Sequence, residues 1–186
     1  MEDTKTDEEI AILVQKGDNQ QFGVLVERFE AKMRRYSAKF LFDLHDGEDA
    51  VQEVFLKAYT NIQGFDPSRK FSSWLYRIAH NQFIDIIRKK GNEPLPFFDP
   101  DTIFPHPIAK DDPVKEVSDK EIAKMLNQCL DKLDPKYRET LILYYFEDMD
   151  YEAIADVMRV PKSTVGIRLK RSKIILKDIY NSLNHE

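Results

Sequence analysis

The sequence predicts an all-α protein made of two small helical domains joined by a proline-rich linker. Apolar residues recur at spacings of three and four, and no run alternates apolar with polar residues as a half-buried strand would. Six of the nine prolines lie between positions 94 and 113, where neither a helix nor an interior strand can continue. We therefore place the domains at residues 1–91 and 118–186, with the linker at 92–117.

Four helices are expected in the first domain. Gly17-Asp18 and the stretch from Gly64 to Pro67 interrupt the helical pattern, and Asp18 or Asn19 is suited to cap the helix that follows the first break. The predicted helices run over about 6–16, 19–42, 46–62 and 68–90.

Four more helices are expected in the second domain. Pro135 suits a first helical turn, because the missing N–H has no partner there, and Asp150 is suited to cap the third of these helices. The predicted helices run over about 118–132, 135–147, 150–158 and 162–181.

The composition excludes several classes of function. The single cysteine, Cys129, cannot form an internal disulfide, and the four histidines are too scattered to predict a metal site. No glycine-rich phosphate loop, nucleophile motif or catalytic pair is present, so we expect neither an enzyme nor a bound cofactor. The acidic first residues and the lack of a long apolar run predict a cytoplasmic protein without a signal peptide or membrane contact.

Charge is distributed unevenly along the chain. The net charge of -5 argues against a protein that coats DNA through bulk electrostatics. Residues 66–90 nevertheless hold six basic residues against two acidic ones, and residues 159–180 hold seven against one. Two basic segments in an acidic chain favour contact with nucleic acid at two places.

The predicted helix 68–90 combines an apolar arc with a polar stripe. Arginine can contact phosphate, asparagine can bind a base edge and an aromatic ring can stack on an unpaired base, so the stripe is typical of a surface for single-stranded nucleic acid. A core tryptophan beside a solvated face is the alternative. The arc contains Phe71, Leu75, Ile78 and Ile86, and the stripe contains Trp74, Arg77, Asn81, Asp85 and Arg88.

The stretch DYEAIADVMRVPKSTVGIRLKRSK has the layout of a helix-turn-helix, with Ile154 and Val157 facing inward and a tight connection at Val160-Pro161. A basic, partly apolar outer face on the second helix would fit the major groove, although an ordinary basic amphipathic helix is the alternative. The packed face is predicted to hold Val165, Leu169, Ser172, Leu176 and Ile179, and the outer face Gly166, Ile167, Lys170, Arg171 and Ile174.

Three stretches together resemble the extracytoplasmic-function sigma factors of the sigma-70 family. DGEDAVQEVFLKAYTNI and FDPSRKFSSWLYRIAHNQFIDIIRKK are similar to the family's region 2, a helical bundle. LDPKYRETLILYYFEDMDYEAIADVMRVPKSTVGIRLKRSK is similar to region 4, which carries the helix-turn-helix. The resemblance implies a promoter-specificity subunit that binds core RNA polymerase, recognises two promoter elements and helps to melt the duplex.

The resemblance also implies site residues. The loop 64–71 corresponds to the family's loop for a flipped base, and an acidic helix face matches the one offered to the clamp helices of the largest polymerase subunit. For the melted minus-ten strand these residues are Ser68, Arg69, Lys70, Trp74, Tyr76, Arg77, Asn81, Arg88 and Lys89. For the minus-thirty-five element they are Lys162, Ser163, Thr164, Ile167, Arg168, Lys170 and Arg171, and for core polymerase Asp49, Gln52, Glu53 and Phe55, for which packing is the alternative.

The chain departs from the family pattern at Gly166 and Ile167, where members often carry a basic residue followed by a small polar one. We therefore expect an altered or weaker minus-thirty-five preference, with Arg168, Lys170 and Arg171 still able to hold phosphates. Family members are commonly held by an anti-sigma factor, which is a further expected partner. A free-standing helix-turn-helix regulator and a helical adaptor that binds only protein remain the alternatives.

Overall fold

The computed structural model describes residues 5–41, 44–90 and 119–183, and the predicted linker therefore lies outside the described residues. Within them the chain forms eight α-helices, two short 3-10 turns and no strand, which confirms the predicted all-α class. Each helix begins and ends within three residues of the position predicted from the sequence. The helices are α1 (Asp7–Gln15), α2 (Phe22–Leu41), α3 (Leu44–Thr60), α4 (Phe71–Lys90), α5 (Asp119–Asp131), α6 (Pro135–Tyr145), α7 (Tyr151–Met158) and α8 (Lys162–Leu183).

Two compact units are present, of which one holds α1–α4 and the other holds α5, α6, α8 and the start of α7. In the first unit, α2 packs on α3, and both pack on α4. Its core is strongly aromatic, because Tyr36 lies within 6 Å of Phe40, Tyr76 and Phe83, at ring-centroid distances of 5.9, 5.5 and 5.0 Å. Rings of this size bury large apolar areas and favour tilted contacts.

Helix α1 begins with a capping box. Thr6 Oγ1 accepts a hydrogen bond from Glu9 N at 3.2 Å, and Glu9 Oε2 accepts one from Thr6 N at 2.8 Å. The helix ends before Gly17, whose φ of 102° suits glycine. Asp18, one of the two predicted caps of the next helix, precedes the 3-10 turn Asn19–Gln21 that leads into α2, and it makes no side-chain capping bond there.

In the second unit, α5 and α6 pack on α8. Asp134 caps α6, with its side chain accepting from Lys136 N at 3.0 Å, and Pro135 occupies the first helical turn as predicted. The predicted cap of α7 is also confirmed, since Asp150 Oδ1 accepts from Ala153 N at 2.8 Å. These caps set the start of the two helices that precede α8.

Candidate nucleic-acid interface

Three aromatic rings cluster where the loop between the 3-10 turn Ile62–Gly64 and α4 begins and ends. Phe65 and Phe71 are buried, with ring centroids 5.4 Å apart, and Trp74 lies 5.3 and 5.5 Å from them. The loop itself exposes Ser68, Arg69 and Lys70, as an interface would require. Exposed basic side chains therefore lie next to a cluster of three aromatic rings, which we call the aromatic cluster.

An Asx turn shapes the loop. Asp66 Oδ1 accepts from Ser68 N at 3.0 Å, and Asp66 O accepts from Arg69 N at 3.0 Å. The hydrogen bond from the Ser68 backbone, followed by the Ser68 hydroxyl and the Arg69 charge, lowers the pKa of Asp66 below its usual value of 3.8. The carboxylate therefore stays ionised at neutral pH, next to the basic residues of the loop.

Helix α4 separates buried from exposed residues much as the sequence predicts. Asn81, Arg88 and Lys89 are exposed, while Trp74 and Arg77 are half-buried. The buried face differs in part from the predicted arc, since Ile78 and Ile86 are only half-buried and Ala79 and Phe83 take the central core positions.

Tyr76 belongs to the core and not to the surface. Its exposed fraction is 2%, and its ring packs against Tyr36. A side chain buried to this degree cannot stack on a captured base without unfolding the helix packing. We therefore remove Tyr76 from the predicted minus-ten contacts.

The acidic face predicted on α3 is present and contains one residue that the sequence prediction missed. Asp49 and Gln52 are exposed and Glu53 is half-buried, whereas Phe55 is only 9% exposed and serves mainly as packing. One position after Phe55, Leu56 is 56% exposed. Leu56 follows Gln52 by four residues and Glu53 by three, so helical periodicity alone could have placed it on the same face.

Helix α8 exposes Lys162 and Ser163 at its start and leaves Ile167, Lys170 and Arg171 half-exposed. Thr164 and Arg168 are instead buried, at 1% and 6% exposure, and share the inner face with Val165, Leu169 and Ser172. Their burial argues against DNA contacts, so we remove Thr164 and Arg168 from the predicted minus-thirty-five contacts. The predicted inward orientation of Ile154 and Val157 on α7 is confirmed, as both are fully buried.

Buried polar groups hold α6 against its neighbours. Arg138 Nη2 donates to the carbonyls of Asp131 and Leu133 at 2.9 and 3.0 Å, which joins α6 to the end of α5. Burial lowers the pKa of Arg138, although it remains a cation at neutral pH. Ser172 Oγ donates to the carbonyl of Arg168 on its own helix at 2.5 Å, and the carbonyl of Tyr137 on α6 lies 3.2 Å from the same oxygen. The Arg138 bonds therefore hold the start of α6 against the end of α5.

Gly166 lies beside an aromatic ring that the sequence prediction did not include. A Cβ atom at position 166 would lie 3.4 Å from Cε2 of Tyr151, the first residue of α7. Tyr151 is 37% exposed, and its ring packs edge-on against Tyr144 at 5.6 Å. Tyr151 therefore lies next to the outer face of α8 at Gly166.

In the described ranges, no helix is long and apolar enough to cross a membrane. The same residues contain no cluster of histidine, cysteine and acidic side chains that could hold a metal ion.

Two family models match the chain. Sigma-70 region 2 matches residues 25–93, and sigma-70 region 4 matches residues 123–176. The chain is 34% identical to the ECF RNA polymerase sigma factor SigW of Bacillus subtilis (strain 168), over 88% of this chain and 91% of SigW. It is 30% identical to the ECF RNA polymerase sigma-E factor of Escherichia coli (strain K12), over 93% of both chains.

Two solved structures share the fold. CnrH, solved in complex with the cytosolic domain of CnrY, gives a TM-score of 0.72 at 25% identity and covers 96% of this chain and 99% of CnrH. The sigma factor RpoE of Bartonella quintana, solved with the anti-sigma factor NepR, gives a TM-score of 0.66 at 22% identity. It covers 86% of this chain and 96% of RpoE.

Proposed function

The chain belongs to the extracytoplasmic-function group of the sigma-70 family, and from that premise we propose how it acts at a promoter. It is a promoter-specificity subunit that binds core RNA polymerase, recognises promoter DNA and aids the opening of the duplex. Membership in this family favours that function over a free-standing regulator or a protein-binding adaptor. Sigma factors direct the polymerase, so we propose that the chain performs no catalytic step itself and works in the cytoplasm with the polymerase.

The two compact units correspond, in this proposal, to two promoter contacts. Residues 1–91 form region 2, which binds core polymerase and the minus-ten element, and residues 118–186 form region 4, which binds the minus-thirty-five element. Residues 92–117 are the linker between them. An anti-sigma factor is a candidate regulatory partner, as in other members of the family.

The exposed polar face of α4 is the observation that carries the minus-ten proposal. Asn81, Arg88 and Lys89 are exposed on this helix, and the exposed loop residues 66–70 precede its first turn. Asparagine can recognise a base edge and the basic residues can hold the strand backbone, while the loop receives a base. Ser68, Arg69, Lys70, Trp74 and Arg77 complete this surface.

The acidic face of α3 is proposed to bind core polymerase. Asp49, Gln52 and Glu53 supply charge and hydrogen-bonding groups for the clamp helices of the largest subunit, and Leu56 supplies an exposed apolar contact. Charge complementarity speeds association and sets the orientation, whereas a buried apolar side chain contributes affinity.

The outer face of α8 is proposed to enter the major groove at the minus-thirty-five element. Lys162, Ser163, Lys170 and Arg171 hold phosphates, and Ile167 can contact a thymine methyl group. Because Gly166 offers no side chain, the preference at this element should differ from the family's usual one. A promoter selection that returns the usual family sequence would disprove this part of the proposal.

The test compares Asn81→Ala with wild type in promoter opening by reconstituted bacterial polymerase, on the promoter that a library selection yields. Loss of a good base contact costs about 1–3 kcal/mol, so open complexes should fall roughly 5-fold or more at limiting concentration. Asn127→Ala is the matched control, since Asn127 is also an exposed helical asparagine but lies on α5. Equal opening by all three proteins would contradict the proposed role of α4.

A further inference from the structure

Helix α1 contacts the loop that precedes α4 at both ends of the loop. Gln15 Nε2 donates to the carbonyl oxygens of Ile62 and Phe65, each at 2.8 Å. At the other end, Glu8 Oε1 accepts from Phe71 N at 2.8 Å. These bonds join residues 47 to 63 positions apart in the chain.

The Glu8 bond compensates for a missing cap on α4. The first N–H groups of a helix have no intrahelical acceptor, and they are usually satisfied by a side chain just before the helix. Lys70 occupies that position, and its side-chain ammonium carries only donors, so it cannot accept a hydrogen bond from a helix N–H. A carboxylate from α1 satisfies the first N–H of α4 instead, and its charge favours the positive end of the helix dipole.

The Gln15 bonds use both amide hydrogens of one side chain. A glutamine amide nitrogen has two donors, and here each of them binds a different carbonyl of the segment that leads into the loop. Gln63 Nε2 donates in return to the carbonyl of Gln15 at 3.1 Å. The end of α1 and the start of the loop therefore hold each other through three hydrogen bonds.

Helix α1 is itself firmly anchored. Arg28 of α2 donates to Asp7 Oδ1 at 2.7 Å and to the carbonyl of Lys5 at 2.9 Å. Ile10, Ala11 and Val14 are buried to 2% exposure or less. A short helix held at its start and along its apolar face can act as a fixed support for the loop.

Two of the residues that α1 binds, Phe65 and Phe71, belong to the aromatic cluster. Gln15 fixes the carbonyl of Phe65 and Glu8 fixes the N–H of Phe71, and these two rings meet each other and Trp74. The backbone bonds therefore set the separation of the two loop ends and the positions of the rings beneath them.

We propose that Glu8 and Gln15 are positioning residues that hold the loop 64–71 in the shape that receives a flipped base. The inference rests on the proposed function, in which this loop binds a base of the melted strand. Neither residue needs to contact DNA. Their removal should weaken capture of the base without changing the contacts made by the rest of the protein.

The experiment uses the full chain bound to core polymerase and fork-junction DNA with either an intact base or an abasic site at the captured position. Glu8→Ala and Gln15→Leu should each bind the intact-base DNA about tenfold more weakly than wild type, as expected for the loss of a part-buried charge-assisted bond or of a part-buried pair of bonds. On abasic DNA, where no base enters the loop, they should match wild type.

Glu8→Gln keeps an acceptor of the same shape and should restore binding to within about twofold of wild type, because a neutral amide oxygen still accepts from Phe71 N. Glu27→Ala is the matched control, since Glu27 is an exposed glutamate on α2 of the same unit. Affinity for core polymerase should be equal for all variants. Tryptophan emission from Trp74, the only tryptophan, should shift in Glu8→Ala and Gln15→Leu and not in Glu27→Ala.

Equal losses on intact and abasic DNA would overturn the inference, since they would mark a general structural defect. Unchanged binding of both variants would overturn it as well. Failure of the proposed function would be seen separately in the wild-type protein, which would then bind intact and abasic DNA equally well. That result would overturn both the role of the loop in binding a base and the role of Glu8 and Gln15 in positioning the loop.

Discussion

Gly166→Ala should stabilise the second unit by about 1 kcal/mol. Glycine inside a helix costs about 0.8–1.0 kcal/mol relative to alanine, and Gly166 is the fifth residue of α8, beyond the first turn. The added Cβ would lie 3.4 Å from Cε2 of Tyr151, which is an ordinary van der Waals contact. No steric penalty therefore offsets the gain in helix propensity.

The chain supplies a separate probe for each unit. Cys129, the only cysteine, is 2% exposed on α5, so its thiol reacts with a disulfide reagent only after the second unit opens. Where reclosing is fast, the labelling rate follows the equilibrium population of the open form. A gain of about 1 kcal/mol should slow labelling about fivefold at fixed pH. Trp74 reports unfolding of the first unit.

The control is internal to the same variant. Because Trp74 lies on α4, the urea midpoint of its fluorescence should be equal in wild type and Gly166→Ala. Labelling of Cys129 at the wild-type rate, or faster, would refute the reasoning and indicate that the Cβ displaces Tyr151. A parallel shift of the Trp74 midpoint would show that the effect is not confined to the second unit.

Three further outcomes are expected. Tyr76→Ala should destabilise the first unit by about 3–5 kcal/mol, because a buried ring is lost, as measured by urea unfolding followed by Trp74 fluorescence. If the variant instead lost promoter opening while its urea midpoint stayed unchanged, Tyr76 would belong to the DNA surface after all. The pKa of Asp66, measured by NMR, should lie below 3.8, since the Ser68 backbone bond favours the carboxylate. The stabilisation from this turn is then present above pH 3.8 and lost as the pH falls through the lowered pKa, and a value at or above 3.8 would contradict the turn. Leu56→Gln should weaken binding to core polymerase in a titration while leaving the unfolding midpoint within about 0.5 kcal/mol of wild type; unchanged affinity would exclude Leu56 from that surface.

Helix positions could be predicted from the sequence because their signals are local. Pro135 and Asp150 mark helix starts through the chemistry of a single turn, and the stretch from Gly64 to Pro67 interrupts the helical pattern. The apolar spacing of α7 likewise placed Ile154 and Val157 inside. Neither the helix starts nor the apolar spacing depends on which other helix packs nearby.

Burial of residues with polar ends could not be predicted in the same way. The family resemblance assigned Tyr76 to the minus-ten strand and Arg168 to phosphate contacts, yet both are buried, and the ring of Tyr76 packs against Tyr36 of another helix. The support that α1 gives to the loop is equally non-local, since Glu8 and Phe71 are 63 positions apart. A helical projection carries no information about contacts at such separations.

Binding to core polymerase tests the central claim most directly. The purified chain is mixed with bacterial core RNA polymerase and a promoter library, and complex formation and strand opening are measured with duplex DNA alone as the comparison. We predict a stable complex with polymerase that opens a specific set of promoters, and little sequence-specific binding of duplex DNA by the chain alone. A chain that ignores the polymerase but binds specific duplex DNA by itself would contradict the proposal and point to a free-standing regulator.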